Sequence, residues 1–571
     1  MTLKQARLCA LMILLITLSA PIADAQDEVQ PGPSPTPGVV ATPSAPDTSP
    51  VPAIPPEVEQ YAAEWVMSGR DYANTRATFD SSIDSSSVDQ LGVAWMFEIP
   101  GIGSYGGAAS GVVIAGGIVY FQDLRSNVYA LDLETGSPIW IHEENQNVLG
   151  PNGPAIGYGK VFAQAGTNTI FALDLETGEL LWRTGLEGPT GAQQPYVYGG
   201  YVLTAAVAGE INSEAQGNQD ARQGYAAGYS GIIYALDHAT GEIVWRFQVV
   251  EEGFWGNPNV NGGGGVWYPP AVDTETGVTF WGTGNPAPFP GIVRYPNAAS
   301  RPGDNLYTNS MVALDGETGE MLWYNQAKPH DLFDLDFQSS PILTTIADGD
   351  SERAIVIGSG KMGEVIAYDR ETGEELWRTP VGMHQNDDLT EIPLDEAITV
   401  YPGVWGGVQT PLAYAEGVIF APVLNLPSVY TANAFGAADG TEAVLNTTGR
   451  INVWEGTSEM VALDATTGDL VWQREFDEPL FSSATVINDL VFTSMYDGTT
   501  YALSREDGSI VWTYEPPGGI IAWAAVANDT LILPIGIGSR PVLLALRLDA
   551  QGVAPTPQPW LTPVPSPEVQ G

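Results

Sequence analysis

The chain has 571 residues, and its 68 Asp and Glu against 21 Lys and Arg give a formal net charge of −47 at pH 7. Such a charge repels nucleic-acid phosphates and anionic lipid surfaces, which argues against both as ligands. Solubility outside the cell explains this acidity better than the attraction of a basic partner.

Residues 1–25 have the pattern of a secretory signal peptide. Lys4 and Arg7 precede an apolar stretch over residues 8–20, and Ala-Asp-Ala at 23–25 supplies the small residues of a cleavage site. A membrane anchor is the alternative, but the stretch is shorter than the roughly 20 apolar residues that cross a bilayer. No later segment is apolar enough to cross either. The mature chain is therefore predicted to be exported, to the periplasm, the medium or the cell surface.

The cysteine content limits the redox chemistry of the chain. The single cysteine, Cys9, lies within the apolar stretch, so the mature chain is expected to contain no disulfide. The sequence also has no Cys-x-x-Cys-His motif and hence no covalently attached haem. Any electrons that the chain handles must leave through a separate molecule.

Segments rich in Pro, Ser and Thr flank a long region of ordinary composition. Residues 26–58 are predicted to be a disordered or extended linker, and residues 551–571 a disordered tail. The region between them, 59–550, is long enough for several domains, but internal repeats argue for a single one.

A repeated eleven-residue phrase, such as ALDLETGELLW at 172–182, marks this region. An apolar run leads to an Asp, a Gly follows, and a second apolar run ends at a Trp, which predicts strand, tight turn and strand. Two further runs rich in Val, Ile, Tyr and Phe precede each phrase, so each unit is predicted to be a four-stranded meander with its Trp flat against the next unit. The phrase ends at Trp140, Trp182, Trp245, Trp323, Trp377 and Trp472, and a weaker copy ends at Trp512.

The two ends of the repeat region complement each other. The segment VAWMFEI around Trp95 looks like an outer strand with no phrase before it, whereas residues 518–549 offer three strands with no Trp strand after them. We predict that these ends pair and close a ring, because a meander must bury its faces against neighbours. The fold is thus predicted to be an all-β, eight-bladed β-propeller. A related sequence ending at Trp281 is interpreted as an inner hairpin of the Trp323 unit.

Four stretches between the repeats are unnecessary for a propeller. They are GGGGVW at 262–267, GTGNPAPF at 282–289, RPGDNLYTNSMVAL at 301–314 and QAKPHDLFDLD at 326–336. With the repeats and the segment before Trp95, they resemble the quinoprotein alcohol dehydrogenases that use pyrroloquinoline quinone (PQQ). The resemblance implies oxidation of a small alcohol or related hydroxyl compound by hydride transfer to PQQ, assisted by calcium. It also implies a separate electron acceptor, such as a soluble cytochrome or a quinone.

The resemblance assigns roles to four residues. Trp267 would be the flat floor on which PQQ stacks, and Lys361 would donate to the quinone oxygens. Asn285 would give its amide oxygen to calcium, and Asp304 would bind the same ion and take the hydroxyl proton of the substrate as the catalytic base. Each residue type also has a plain alternative: a Trp packed between blades, turn-forming Asn and Asp, and a solvated Lys.

The family's calcium-binding glutamate is missing. Ala226, in GYAAGYSGII at 224–233, falls where the resemblance expects it. Calcium takes about six to eight oxygens, so the site would be weakly held unless an acid of the preceding insert (Glu210, Glu214 or Asp220) replaces the glutamate.

Other positions depart from the family pattern as well. Asn152 takes the place of an arginine that contacts the cofactor, Ala109 replaces another polar contact, the vicinal cysteine pair is absent, and residues 406–410 read GGVQT. His330, Asp331 and Asp334 belong to a family run for which a hydrogen-bonding role is expected, and the four His show no zinc-binding spacing. These departures keep a second function open, a non-catalytic quinoprotein-like propeller that serves as a protein-binding scaffold.

Overall fold

The computed structural model of the protein describes residues 51–550, apart from 167, 188–192, 208–227, 292–294, 394–395 and 431–451. Helix α1 (Pro56–Gln60) and strands β1 (Ala77–Thr78) and β2 (Leu91–Glu98) come first, and the blades follow. Short 3-10 turns lie at Val88–Gln90, Phe254–Gly256, Pro296–Ala298 and Val453–Glu455. No helix in this described part of the chain is long and apolar enough to cross a membrane.

The first four blades are four-stranded antiparallel sheets. Their strands are, for blade 1, β3 (Val113–Ala115), β4 (Ile118–Gln122), β5 (Val128–Asp132) and β6 (Pro138–His142); for blade 2, β7 (Ala155–Gly157), β8 (Lys160–Ala165), β9 (Thr169–Asp174) and β10 (Leu180–Gly185); for blade 3, β11 (Tyr196–Tyr198), β12 (Tyr201–Ala206), β13 (Ile232–Asp237) and β14 (Ile243–Gln248); and for blade 4, with a two-stranded sheet of β15 (Gly262–Gly263) and β18 (Pro286–Ala287) inserted, β16 (Ala271–Val272), β17 (Val278–Gly282), β19 (Ser310–Asp315) and β20 (Met321–Gln326).

The other four blades repeat this plan. Their strands are, for blade 5, β21 (Ile342–Asp348), β22 (Ser351–Ser359), β23 (Glu364–Asp369) and β24 (Glu375–Pro380); for blade 6, with a two-stranded sheet of β25 (Ile398–Val400) and β28 (Ser428–Tyr430) inserted, β26 (Ala413–Ala415), β27 (Val418–Asn425), β29 (Thr457–Asp464) and β30 (Leu470–Phe476); for blade 7, β31 (Thr485–Ile487), β32 (Leu490–Ser494), β33 (Thr500–Ser504) and β34 (Ile510–Tyr514); and for blade 8, β35 (Ala525–Ala527), β36 (Thr530–Ile535), β37 (Val542–Leu548) and β2. Strand β1 adds a fifth, parallel strand to blade 7, beside β31.

The predicted eight-bladed, all-β propeller is confirmed, and so is the pairing of its two ends. Strand β2 is the outermost strand of blade 8 and runs antiparallel to β37, with Trp95 opposite Ala545. The sequence ending at Trp281 forms the inner hairpin of β16 and β17 in blade 4, as predicted. Inner strands are buried on both faces because each sheet packs between two others, which explains their continuous apolar sequences.

The phrase tryptophans join neighbouring blades. The indole N–H of Trp245 in blade 3 donates to the carbonyl of Gly316 in blade 4 at 3.1 Å. A Cβ on Gly319, the glycine of the next phrase, would lie 2.6 Å from the Trp245 ring, so the ring lies flat on that turn and only glycine fits there. The other indole N–H donors across blade boundaries are Trp95, Trp140, Trp182, Trp323, Trp377 and Trp472, at 2.9–3.2 Å from their acceptors.

The phrase aspartates organise the turns and predict a sensitivity to acid. Asp315 Oδ1 accepts hydrogen bonds from the Thr318 hydroxyl and backbone N–H, both at 2.8 Å, and these bonds hold the pKa of Asp315 below its ordinary value. A carboxylate whose pKa is depressed by folding stabilises the protein above its unfolded pKa, and this contribution is lost as the pH falls through the folded pKa.

We therefore expect Thr318→Val to reduce the drop in unfolding temperature that the protein shows between about pH 5 and pH 3. The substitution removes one of the bonds that lower the Asp315 pKa while it keeps the shape of the side chain. Thr345→Val, at an exposed strand position, is the control and should leave the drop unchanged. Calorimetric scans across this pH range will measure it, and equal drops in both variants would contradict the argument.

The predicted linker over 26–58 ends earlier than the sequence indicates. Residues 51–58 are ordered against blades 2 and 3: the Ala53 carbonyl accepts the Gly199 N–H at 2.7 Å, and the Glu57 carboxylate accepts the N–H groups of Tyr158 and Gly159 at 2.9 and 2.6 Å. These turn N–H groups need acceptors, and Glu57 supplies two of them. The predicted signal peptide, the rest of the linker up to residue 50 and the tail over 551–571 lie outside the described residues.

Residues 65–78, here called the axial segment, run along the innermost strands of the blades. Carbonyl groups of this segment accept backbone N–H donors from blades 1, 4, 5, 6 and 7, namely Ile114, Val272, Leu343, Tyr414 and Val486. The Tyr72 hydroxyl donates to Val197 in blade 3, and buried Arg76 donates to Ala484 beside blade 7 and Ala524 beside blade 8. The axial segment therefore ties seven blades together.

Candidate active site

The topology gathers the predicted site residues on one face of the propeller. In an antiparallel meander, the start of the first strand and the loop between the second and third strands lie at the same end. Trp267 precedes β16, Asn285 and Asp304 lie between β17 and β19, and Lys361 lies between β22 and β23. We call this end the loop face. The phrase turns and the contacts of helix α1 lie at the opposite end.

Trp267 lies near the propeller axis, where its indole is partly exposed. It lines a cavity of about 10 Å³ together with Asn74 and Arg76 of the axial segment. Its neighbour Tyr268 receives a hydrogen bond from Gln193 of blade 3 at its carbonyl, at 2.9 Å, and donates its hydroxyl to the Gln409 carbonyl beside blade 6 at 2.7 Å. These bonds across blades fix Trp267 over the axial segment. The same cavity is lined by Ser68, Gly69, Pro151, Gln194, Tyr268, Pro269, Ser340, Pro411, Leu412 and Trp523.

Asn285 and Lys361 are brought together by an aspartate. Asp336 Oδ1 accepts the backbone N–H of Asn285 at 2.5 Å, and its Oδ2 lies 2.7 Å from Lys361 Nζ. Asp334 Oδ2 lies 2.8 Å from the same ammonium. Burial raises the pKa of the Asp336 carboxyl above its ordinary value, and the Lys361 charge opposes that rise. The three charged side chains thus form one largely buried cluster, and Asp336 is the member that the sequence analysis did not single out.

Asn285 has an oxygen available for a ligand. Its side chain is mostly buried, its Nδ2 donates to the Pro286 carbonyl at 3.1 Å, and its Oδ1 accepts no hydrogen bond from the described residues. The Asn285 carbonyl accepts the N–H of Gly264 at 2.8 Å, and Gly284 donates to Gly265 at 2.7 Å. These bonds join the Asn285 loop to the strand that leads to Trp267.

Asp304 stands apart from this cluster. Its carboxylate is exposed, and no hydrogen bond joins it to Trp267 or Asn285 within the described part of the chain. The backbone around it is fixed, because Gln326 donates to the Asp304 carbonyl at 2.6 Å and His330 Nδ1 donates to the Gly303 carbonyl at 3.0 Å. The loop presents the carboxylate to solvent on the loop face.

Buried Arg301 and Asp331 brace the same loop. Arg301 donates to the Asn305 side chain and to the Asp331 carbonyl, both at 2.5 Å. The Asp331 carboxylate accepts backbone N–H groups of Phe333 and Leu335 at 2.8 and 2.7 Å, which is the hydrogen-bonding role expected from the sequence.

The positions that depart from the family pattern are buried where the structure describes them. Asn152 donates to the Asp123 carbonyl at 2.9 Å, and its Oδ1 has no hydrogen-bond partner in the part of the chain that the structure describes. Ala109 packs with Leu124 and Val148. Ala226 and the three acids proposed to replace the glutamate lie outside the described residues.

The donors on the loop face suit a planar, anionic quinone. Trp267 offers a partly exposed aromatic surface, and Lys361 offers a cation. The hydroxyl oxygens of Ser110, Ser339 and Ser483, which precede the first strands of blades 1, 5 and 7, are buried and find no hydrogen-bond partner among the described residues. They can donate to the oxygens of a ligand. The residues present therefore fit PQQ.

The described residues offer few oxygen ligands for calcium. Across the described ranges, no three His, Cys, Asp or Glu side chains gather in an arrangement that could hold a metal ion. The Asn285 Oδ1 and the exposed Asp304 carboxylate are the candidate oxygen donors, fewer than the roughly six to eight that calcium takes. The described residues alone do not complete a calcium site.

Known proteins with alcohol dehydrogenase activity resemble the chain as a whole. A family model described as the β-propeller domain of glucose, ethanol and alcohol dehydrogenases matches residues 191–385, and a model of the outer membrane protein assembly factor BamB matches 88–215, 124–248 and 429–538. The chain is 25% identical to the quinohemoprotein alcohol dehydrogenase ADH IIB of Pseudomonas putida, over 88% of this chain and 80% of that protein. The chain is thus similar to quinoprotein alcohol dehydrogenases along most of its length.

Solved structures confirm the fold. The quinohemoprotein alcohol dehydrogenase from Comamonas testosteroni superposes with a TM-score of 0.72 at 22% identity, covering 87% of this chain and 82% of that one. A europium-containing methanol dehydrogenase superposes with a TM-score of 0.70 at 20% identity, covering 86% of this chain and 99% of that one.

Proposed function

We propose that the chain is an exported, PQQ-dependent dehydrogenase that oxidises an alcohol or related hydroxyl compound. The observation that carries the proposal is the convergence on the loop face of a partly exposed Trp267, the buried Asn285 and the partly buried Lys361. The resemblance to quinohemoprotein alcohol dehydrogenase ADH IIB along 88% of the chain supports the same chemistry. The signal-peptide pattern of residues 1–25 supports export. The electrons would pass to a separate acceptor, such as a soluble cytochrome or a quinone.

The side chains on the loop face have distinct tasks in this reaction. PQQ, when bound, supplies the group that accepts a hydride from the substrate carbon. Trp267 provides a flat surface that holds a planar ring and excludes water from one side of it. Lys361 provides positive charge for ligand oxygens, and Asp336 and Asp334 hold its ammonium in place. Asp304 is the base that takes the hydroxyl proton, because its exposed carboxylate is free to meet a substrate.

We include calcium in the proposal, with Asn285 and Asp304 as its protein ligands. The Asn285 Oδ1, which accepts no hydrogen bond from the described residues, and the exposed carboxylate of Asp304 support this choice, since calcium prefers oxygen ligands. A europium-containing methanol dehydrogenase with the same fold also supports a metal at such a site. The missing oxygens would come from the quinone or from residues outside the described part.

The second candidate is a protein-binding scaffold without catalysis. The match of the BamB model to blades near both ends of the chain favours this function. Asn152 favours it as well, because its side-chain amide donates to a backbone carbonyl and not to a ligand. The two functions predict opposite results in one binding experiment.

Reconstitution of the full chain with PQQ separates them. We expect PQQ to bind, with calorimetry and the quinone absorbance as readouts, and dye-linked oxidation of alcohols to follow. Removal of calcium with a chelator is expected to weaken binding and abolish turnover. Trp267→Ala should weaken PQQ binding about tenfold or more, because it removes the stacking surface. Trp454→Ala, at an exposed tryptophan, is the matched control. If the unmutated protein binds no PQQ with or without calcium, the scaffold function replaces the enzyme.

A further inference from the structure

Asp336 touches both Asn285 and Lys361, which we propose to hold the cofactor. Its side chain is completely buried. One carboxylate oxygen accepts the Asn285 N–H at 2.5 Å, and the other lies 2.7 Å from the Lys361 ammonium. Both partners are donors, and both oxygens are used. A single rigid group therefore fixes the distance between the Asn285 backbone and the Lys361 charge.

Two motif glycines make room for this arrangement. A Cβ on Gly360 would lie 2.1 Å from the Asp336 carbonyl oxygen, and a Cβ on Gly284 would lie 2.9 Å from Asp336 Oδ1. Gly284 directly precedes Asn285, and Gly360 directly precedes Lys361. The glycines of GTGNP and GSGK thus let the chain approach Asp336 closely on both sides.

We propose that Asp336 is a positioning residue: it holds Asn285 and Lys361 at a set separation, so that both meet a bound quinone together. The inference rests on the proposed function. Asp336 lies beneath its two partners and acts through them, since it has no exposed surface with which to touch a ligand. This role explains why a site that binds an anion contains a buried carboxylate beside its lysine.

Both contacts of the Asp336 carboxylate are with donors, so an asparagine at this position tests them specifically. An asparagine at 336 has the same shape, but one end of its amide is a donor. In either orientation that donor faces another donor, the Asn285 N–H or the Lys361 ammonium. Asp336→Asn therefore breaks one of the two contacts, with the Asn285 N–H or with the Lys361 ammonium, without creating a cavity.

Asp334→Asn is the matched control. Asp334 contacts the same ammonium at 2.8 Å, but Asp336 is the partner of the Asn285 N–H. Both substitutions remove one negative charge near Lys361, so their direct effects on the binding of an anion are similar. The difference in PQQ affinity between the two variants therefore measures the effect of the hydrogen bond between Asp336 and the Asn285 N–H.

The experiment measures PQQ affinity of the full-length variants by calorimetry, at a temperature where each is folded. Both substitutions disturb the Lys361 ammonium, and we expect Asp336→Asn to weaken binding about tenfold more than Asp334→Asn does. Thermal unfolding adds a measurement that needs no cofactor: Asp336→Asn should lower the unfolding temperature less when Lys361→Met is already present, because the opposed donor is gone.

Each outcome decides the matter. Equal losses of affinity in the two variants, with PQQ bound by the unmutated protein, would overturn the positioning role alone. No PQQ binding by the unmutated protein would overturn the proposed function, and the role of Asp336 with it. If Asp336→Asn does not fold, a folded double variant with Lys361→Met supports the proposal, and a double variant that also fails to fold overturns it.

Discussion

A chain that lacks residues 51–98 is expected to lose the whole propeller and not a single blade. The deletion removes β2, which leaves β37 with an open edge, and it removes the axial segment that bonds to seven blades. A ring whose units bury their faces only against one another depends on every contact between neighbours. Circular dichroism and size-exclusion chromatography should show no cooperative unfolding transition and an expanded or aggregated chain.

A deletion of residues 26–50 is the matched control for this experiment. Its composition, rich in Pro, Ser and Thr, predicts no effect on the unfolding temperature. Arg76→Met tests one part of the axial segment. It removes a guanidinium that donates hydrogen bonds to four acceptors, including the Ala484 and Ala524 carbonyls, and should lower the free energy of unfolding by about 3 kcal/mol or more. A truncated chain that unfolds at the temperature of the intact protein would show that ring closure does not stabilise the fold.

The blades could be predicted from the sequence because their signal repeats. Each phrase carries its own strand, turn and docking tryptophan, and seven copies reinforce one interpretation. The pairing of β2 with β37 could be predicted by counting strands in each repeat. The N-terminal end has a Trp strand with no phrase before it, and the C-terminal end has three strands with no Trp strand after them. Local chemistry was therefore enough for the fold of the ring.

The axial segment could not be predicted in this way because its contacts are not local. The carbonyls of residues 65–78 bond to strands that lie between about 50 and 400 residues further along the chain, and nothing periodic marks those partners. The docking of residues 51–58 was missed for a related reason. Their proline-rich composition resembles a linker, whereas their stability comes from Glu57 meeting two turn N–H groups.

The candidate site likewise combines residues that the sequence indicates with a contact between distant residues that it does not. Resemblance indicated Trp267, Asn285, Asp304 and Lys361, but the link between two of them depends on Asp336, which lies 51 residues from Asn285 in the chain. One signal was present in the sequence: Asn285 and Lys361 each follow a glycine. The reason for both glycines became clear only with the fold, because Asp336 occupies the space that their missing side chains leave.

Asp304→Asn is expected to lower turnover about 100-fold or more while PQQ remains bound with affinity close to that of the unmutated protein. The amide keeps the size of the side chain and can keep an oxygen for a metal, but it cannot take the hydroxyl proton. The loop should keep its conformation, because the bonds that fix it come from backbone and neighbouring groups: the Asp304 carbonyl with Gln326, and Asn305 with Arg301.

The comparison that makes this result interpretable is Asp388→Asn. Asp388 is another exposed aspartate, in the connection between β24 and β25 on the loop face, so its substitution makes the same change in charge. It should leave both turnover and PQQ affinity unchanged. Steady-state oxidation of an alcohol with a dye acceptor gives turnover, and calorimetry gives affinity. Full turnover in Asp304→Asn would assign the base to another residue, whereas loss of PQQ binding along with turnover would make Asp304 a ligand of the cofactor or its metal and not the base.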